Sequence, residues 1–293
     1  MNEIVNLCDG YKRLSYLEPL HDLLEPFYHM ELSTPVLCAT PWKMTHENKS
    51  SIAILLLHGY QGYPGEMSYL GLKLYQAGFD VYCPRLPGHG INQEDFLKTS
   101  SKDWLAVSRS STGYLKKEYN KVYVAGHSMG GLIATIIAKE FQIEKLALIA
   151  PAFIIKGFNK NKIKFMKFFK KEISTPWSED PSFWGICERT ERDDRLLGAN
   201  YWSKLVFSQL LELDKIREEA LISLDKVSSK TICILGEKDN SIDSVKIEKL
   251  LRNKLKTPLE IKTIEGVNHL CQYFNDEVKR DLCNDSIVQL FSD

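Results

Sequence analysis

Six short apolar runs, each followed by an amphipathic stretch, constrain this chain more than any other feature of its sequence. They are Ile52 to Leu57 (IAILLL), Asp80 to Cys83, Val122 to Ala125, Lys145 to Ile149, Thr231 to Leu235 and Leu259 to Ile264. These short apolar runs read as buried parallel strands. Met67, Leu70, Leu74 and Tyr75 fall at helical spacing, as do Leu132, Ile133, Ile136 and Ile137, and then Val245, Leu250 and Leu251. Strands alternating with helices imply βαβ units, and so an α/β fold in which helices flank a mostly parallel central sheet. Ahead of the first run, Tyr28 to Leu32 and Val36 to Trp42 flank Ser33-Thr34-Pro35 and predict an antiparallel hairpin.

The alternation stops after Pro151 and resumes near Ser229. Between them lie Trp177, Trp184 and Trp202, five phenylalanines up to Phe169, and the loop signals Ser174-Thr175-Pro176 and Asp180-Pro181-Ser182. The expected organisation is therefore an N-terminal extension over 1–25, read as an extra helical arm, a core over 26–150 and 229–293, and a helical cap, or lid, inserted over 151–228.

The 38 basic and 38 acidic residues cancel, so no global field recruits nucleic acid, and no nucleic-acid partner is expected. One stretch departs from that balance. Lys156 to Lys171 holds seven lysines and no acid. At about 100° per residue, Phe165, Met166, Phe169 and Ile173 share one helical face, and Lys164, Lys167, Lys170 and Lys171 the opposite one. Such a helix either buries its apolar face in the cap, with its lysines in water, or makes weak contact with an anionic membrane surface. The seven cysteines are scattered without a C-x-x-C pair, which fits neither a disulfide framework nor a zinc site and makes a reducing cytoplasm the simplest location. No signal peptide is expected, and no apolar run approaches the roughly 18 residues of a membrane span.

The chemistry centres on Val122-Tyr123-Val124-Ala125-Gly126-His127-Ser128-Met129-Gly130-Gly131, a strand, a G-x-S-x-G turn and the start of a helix. In that context the strained turn projects the Ser128 hydroxyl from the sheet as a nucleophile, and the helix start aims backbone N–H groups at an oxyanion. The plain alternative is a structural turn whose serine caps the helix. A hydroxyl nucleophile needs an imidazole, and His269 is the only histidine that follows Ser128 in the chain. It sits in Ile264-Glu265-Gly266-Val267-Asn268-His269, a loop after the last strand. The orienting acid belongs on the loop after the preceding strand, where Asp239 in Gly236-Glu237-Lys238-Asp239 is well placed; Asp243 competes with it but better suits the cap of the next helix.

The first strand ends in Leu57-His58-Gly59-Tyr60-Gln61-Gly62, where the Tyr60 N–H can join that of Met129 as an oxyanion donor. His58 is expected to orient this loop, Pro87-Gly88-His89-Gly90 to fold a tight loop beside the site, and Asp103-Trp104 to cap and anchor a helix.

Taken together, LLLHGYQG, CPRLPGHG, the Asp103-Trp104 pair, VAGHSMGG, GEKD and GVNH resemble the α/β-hydrolases, above all bacterial carboxylesterases and monoacylglycerol lipases, over residues 52–292. The resemblance implies an α/β-hydrolase fold with its lid after the sixth strand. It also implies a Ser128, Asp239 and His269 triad, an oxyanion hole at Tyr60 and Met129, and no metal or organic cofactor. The implied activity is hydrolysis of a small-molecule carboxylic ester. A thioesterase, a small-amide hydrolase, or a hydrolase-like binding protein without activity are the alternatives.

Overall fold

The computed structural model describes residues 9–14, 36–177 and 189–293. Its centre is an eight-stranded sheet whose strands, in chain order, are β1 (Tyr11–Arg13), β2 (Trp42–Met44), β3 (Ile52–Leu57), β4 (Asp80–Cys83), β5 (Lys121–His127), β6 (Lys145–Ile149), β9 (Lys230–Gly236) and β10 (Leu259–Ile264); β7 (Glu172–Ser174) and β8 (Lys204–Val206) pair separately. The spatial order is β1-β2-β4-β3-β5-β6-β9-β10. All neighbours from β4 to β10 run parallel, while β1 and β2 add an antiparallel edge. This is the mostly parallel sheet that the apolar runs predict, and four of the six runs match their strands residue for residue.

The helices are α1 (Ser68–Gln76), α2 (Gln93–Leu97), α3 (Ser101–Glu118), α4 (Met129–Phe141), α5 (Lys160–Lys167), α6 (Glu191–Leu197), α7 (Phe207–Ser223), α8 (Ser244–Lys254) and α9 (Glu277–Ser292). α4 is buried from Met129 to Ala138, which explains why MGGLIATIIA has no polar face: it lies between the sheet and the helices α3 and α7 that pack on it. α3 starts with a capping box in which Ser100 is the cap and Asp103 reaches back to its N–H at 2.7 Å. Asp103 is thus the third residue of that helix and not its cap. Trp104 is fully buried, donates from Nε1 to the Pro87 carbonyl at 3.1 Å and stacks on Phe96, so it anchors the helix as expected.

The N-terminal expectations need correction. Tyr11–Arg13 is a strand and not part of a helical arm, because it finds antiparallel partners in Trp42–Met44. Val36 to Trp42 does not form one arm of a hairpin: Leu37–Ala39 is a 3-10 turn, and only Trp42 enters a strand. Tyr28 to Leu32 and most of the 1–25 arm lie outside the described residues.

β6 and β9 are neighbours, so the chain leaves the sheet at Ile149 and rejoins it beside that point, with Lys145 opposite Lys230. The excursion holds helices, a π turn at Gly198–Trp202 and the small β7–β8 ribbon. Here the wheel reading of the Lys-rich stretch also fails. α5 ends at Lys167, which leaves Ile173 in β7, and the side chain that α5 buries is Ile163. Phe165 and Phe169 do meet, with rings 5.1 Å apart, but on the exposed side.

Two glycines set the geometry of the turn between β5 and α4. A Cβ on Gly126 would sit 2.1 Å from the Gly130 carbonyl oxygen, and one on Gly130 would sit 2.1 Å from that of Leu57, so the helix start presses on two strands through bare backbone. Gly130→Ala should therefore cost about 3 kcal/mol or more, at or beyond the usual range for overpacking. Gly113→Ala, inside α3 with nothing within 4 Å of the new methyl, should stabilise by about 0.5–1 kcal/mol. Urea denaturation of both variants checks this; equal effects would contradict the crowding account.

Candidate active site

Ser128 occupies the turn at φ 53° and ψ −112°, a region costly for any residue with a side chain. The backbone is held there on both sides: its N–H donates to the Ile149 carbonyl at 2.8 Å and its carbonyl accepts from the Ala152 N–H at 3.2 Å. The hydroxyl thereby stands at the carboxyl ends of β5 and β6.

His269 Nε2 lies 2.9 Å from Ser128 Oγ, and Nδ1 lies 2.7 Å from Asp239 Oδ2. The carboxylate is held from behind: Asp239 Oδ1 accepts the N–H groups of Ser241 at 2.7 Å and Ile242 at 3.0 Å, and Lys156 Nζ donates to the Asp239 carbonyl at 2.5 Å. Burial pushes the Asp239 carboxyl up, but the hydrogen bond and charge of His269 and the two amides outweigh it, so it stays below its usual value. Burial lowers His269 more than the Asp239 hydrogen bond raises it, which keeps the imidazole neutral and able to accept a proton. The three residues singled out in sequence thus come together as one hydrogen-bonded line. Asp243 does not join it; its Oδ1 accepts the Lys246 N–H at 3.1 Å and caps α8.

Among the described residues, the backbone N–H groups of Tyr60 and Met129 have no acceptor. Their loops are tied down around them. His58 accepts the Leu86 N–H at 3.0 Å on Nε2 and donates from Nδ1 to the Gly59 carbonyl at 3.0 Å, joining the ends of β3 and β4. Burial drops its pKa to about 4, so it is a neutral tie. His89 is likewise buried, held from Nδ1 to the Pro87 carbonyl at 3.1 Å, and far below its usual pKa because of that burial. Gln61 fastens the excursion to this loop: Nε2 donates to the carbonyls of Tyr201 and Lys204, both at 3.0 Å, and its own carbonyl accepts from Trp202 Nε1 at 2.9 Å.

Sequence reasoning missed a buried pair behind the line. Glu66, on the 3-10 turn Pro64–Met67, accepts the Gly59 N–H at 2.5 Å and His127 Nδ1 at 3.0 Å on the same oxygen. His127 Nε2 donates to the His269 carbonyl at 2.9 Å. With a carboxylate and a carbonyl as partners, both ring nitrogens must donate, so the ring is an imidazolium. Burial lowers the His127 pKa, but the charge and hydrogen bond of Glu66 overcome this and leave it raised; Glu66, pushed up by burial, ends lowered by His127. One ion pair therefore joins the Tyr60 loop, the Ser128 turn and the His269 loop. The position of His127 in the turn was legible; nothing in the spacing pointed to a partner 61 residues away.

This sheet, turn and hydrogen-bonded line define an α/β-hydrolase of the esterase/lipase type. Residues 48–276 match the family described as serine aminopeptidase, S33, and the chain belongs to that family. It is 22% identical over 243 residues to a carboxylesterase of Bacillus subtilis (strain 168), spanning 81% of this chain and 91% of that protein. It is also 38% identical over 88 residues to the thermostable monoacylglycerol lipase of Bacillus sp. (strain H-257), a match that spans 30% of this chain and only 35% of that relative. Among solved structures, a chain from the metagenome-derived lipolytic enzymes LipS and LipT superposes with a TM-score of 0.74 at 20% identity, covering 89% of this chain and 100% of that one. A soluble variant of monoglyceride lipase from Saccharomyces cerevisiae gives 0.67 at 16% identity, covering 91% and 97%. Both structural likenesses bear on the fold.

The buried pair has a definite pH signature. The raised His127 pKa gives stability that is complete below its unfolded value of about 6.5 and fades as pH climbs through the folded value. The lowered Glu66 pKa gives stability present above about 4.5 and lost as pH falls through its folded value. Glu66→Gln should therefore be most destabilising between about pH 4.5 and 6.5, by about 3 kcal/mol or more, with the penalty shrinking above that window. Denaturation of both proteins across pH checks this; a penalty constant through pH 9 would contradict an ion pair.

Proposed function

We propose that this chain is a serine hydrolase cleaving small-molecule carboxylic esters, of carboxylesterase or monoacylglycerol lipase type, through an acyl-enzyme on Ser128. The observation that carries this reading is the line from Ser128 Oγ to His269 and on to Asp239, at 2.9 and 2.7 Å, beside the amides of Tyr60 and Met129. In the proposed reaction Ser128 Oγ attacks the ester carbonyl carbon while His269 Nε2 takes its proton. The Asp239 carboxylate stabilises the imidazolium that forms, and the Tyr60 and Met129 N–H groups stabilise the oxyanion. Collapse breaks the bond to the alcohol, which leaves with the proton from His269. Water repeats the sequence on the acyl-enzyme, giving the acid and the free serine.

Segment 151–228 is proposed as the cap. Its hydrogen bonds to Gln61, the neighbour of the proposed donor Tyr60, support the reading that its position bears on both substrate access and the proposed hole. Among the described residues no helix is long and apolar enough to cross a membrane. Among the described residues, Cys83, Cys233, Cys271 and Cys283 are free, buried thiols, which supports the reading of a reducing compartment, the cytoplasm.

Ser128→Ala and His269→Ala should each lower kcat by about four orders of magnitude and leave unfolding cooperative. Asp239→Asn should remove most of kcat, whereas Asp243→Asn should cost only about 1 kcal/mol of stability through the lost cap. A panel of matched ester, thioester and amide substrates tests the bond class; faster turnover of the thioester or amide would overturn the ester reading.

The pH profile carries a further expectation. Turnover needs neutral His269, whose pKa is lowered, so the acid limb of kcat/KM should fall below about pH 6.5. Because Asp239 raises that pKa, the residual activity of Asp239→Asn should show the limb displaced further toward acid. A limb above pH 7 in the parent, or a displacement toward alkaline pH in the variant, would contradict the assignment.

A further inference from the structure

The segment from Lys160 to Lys171 keeps apolar surface in water at an unusual density. On α5 only Ile163 is buried, and Lys160 on the same side is pinned against α7 by Asp214 at 2.9 Å and Glu218 at 2.5 Å. The outer side presents Phe165, Phe168 and Phe169 at 64%, 87% and 73% exposure. Around them stand Lys162, Lys164, Lys167, Lys170 and Lys171, all exposed, and none forms an ion pair among the described residues. A cavity of about 380 Å³ lined by Lys164, Lys167, Phe168 and Leu211 opens at the foot of this patch.

We propose that this patch docks the protein onto the surface of an anionic lipid bilayer, with the three phenylalanines entering the headgroup and acyl boundary and the five lysines paired with lipid phosphates. Clustered aromatic side chains at the tip of a helix lose their contact with water only against another apolar phase. Five exposed lysines of the same segment, without ion pairs among the described residues, favour a phase that carries negative charge, as an anionic bilayer does. A second copy of the chain offers the wrong charge, since apposing two such patches sets five lysines against five. The cavity, lined by two lysines together with Phe168 and Leu211, offers both the charge and the apolar surface that an amphiphilic lipid would use. Net charge does not supply this attraction, because 38 basic and 38 acidic residues cancel over the whole chain; the surplus is local.

The inference deepens the proposed function by naming the phase from which ester substrates are drawn, and only that consequence rests on the ester reading. Docking is therefore tested on the full chain carrying Ser128→Ala, so that loss of binding and loss of hydrolysis are read separately. Vesicles of phosphatidylcholine with and without phosphatidylglycerol are sedimented with the protein at low and high salt. Partition onto the phosphatidylglycerol vesicles should exceed that onto phosphatidylcholine alone by about tenfold or more and collapse in high salt. Phe168→Ser with Phe169→Ser, and separately Lys164→Glu, Lys167→Glu and Lys171→Glu together, should abolish it. The same patch substitutions in the Ser128 parent should leave the melting temperature and turnover of a short water-soluble ester unchanged, which shows that the variants fold.

Equal partition onto both vesicles, or binding that survives both sets of substitutions, would overturn the proposal. So would failure to bind phosphatidylglycerol vesicles while light scattering shows a dimer lost in the phenylalanine variant, or while an acidic protein is retained by the patch.

Discussion

Ser128 holds a left-handed backbone between a strand and a buried helix, and the neighbouring strands and loops are arranged to keep it there. A side-chain-bearing residue at φ 53° costs on the order of 1–3 kcal/mol, and it persists only where the surroundings over-determine it. Here Ile149 at the end of β6 and Ala152 just beyond it grip its backbone by hydrogen bonds, and α4 is driven hard against the sheet by its burial from Met129 to Ala138. The apolar character of α4, which leaves it no stable place on a surface, is thus what offsets the strain of the turn. In return the hydroxyl is projected from the sheet into a position that an unstrained strand-to-helix connection would not reach.

Around that turn the polar groups are arranged in two tiers. In front lie Ser128, His269 and Asp239, proposed as the reacting line. Behind lies the buried pair Glu66 and His127, which touches the loop that carries Tyr60 at Gly59 and the backbone of the first tier at His269. A buried ion pair is weak evidence for stability in general, since desolvation opposes attraction. Its value here is geometric: three loops from distant parts of the chain share one carboxylate and one imidazolium, so none of them can drift without breaking a charged hydrogen bond. Gln61 extends the same logic outward, linking Tyr201, Trp202 and Lys204 to the loop that carries Tyr60.

How much of this could be read from sequence follows from which signals are local. β3 and β6 were legible to the residue because each is an almost continuous apolar run buried on both faces. β4 and β10 were legible because their short apolar-rich stretches end where the strands end, although β10 (LEIKTI) is a half-exposed edge strand and not a strand covered on both faces. Ser128, His269 and Asp239 were legible because a G-x-S-x-G turn fixes the chain order of its partners, and only one histidine follows it. Tyr11–Arg13 was not, because a three-residue edge strand is specified by the Trp42–Met44 backbone it pairs with, not by its own pattern. Nor was Glu66, whose role depends on a contact made only in the folded chain. The α5 reading failed for a related reason. Periodicity groups Phe165 with Phe169, but which face meets protein was decided by Ile163 and by Lys160 pairing with Asp214 and Glu218.

The Ser128 hydroxyl is proposed as a nucleophile activated by His269. Reaction of the folded protein with a fluorophosphonate, followed by digestion and mass spectrometry of the peptides, measures this without assuming a substrate. A single covalent adduct on Ser128 is predicted, absent from Ser128→Ala and formed far more slowly in His269→Ala. Failure of the folded parent to react, or an adduct on any other residue that persists in Ser128→Ala, would contradict it.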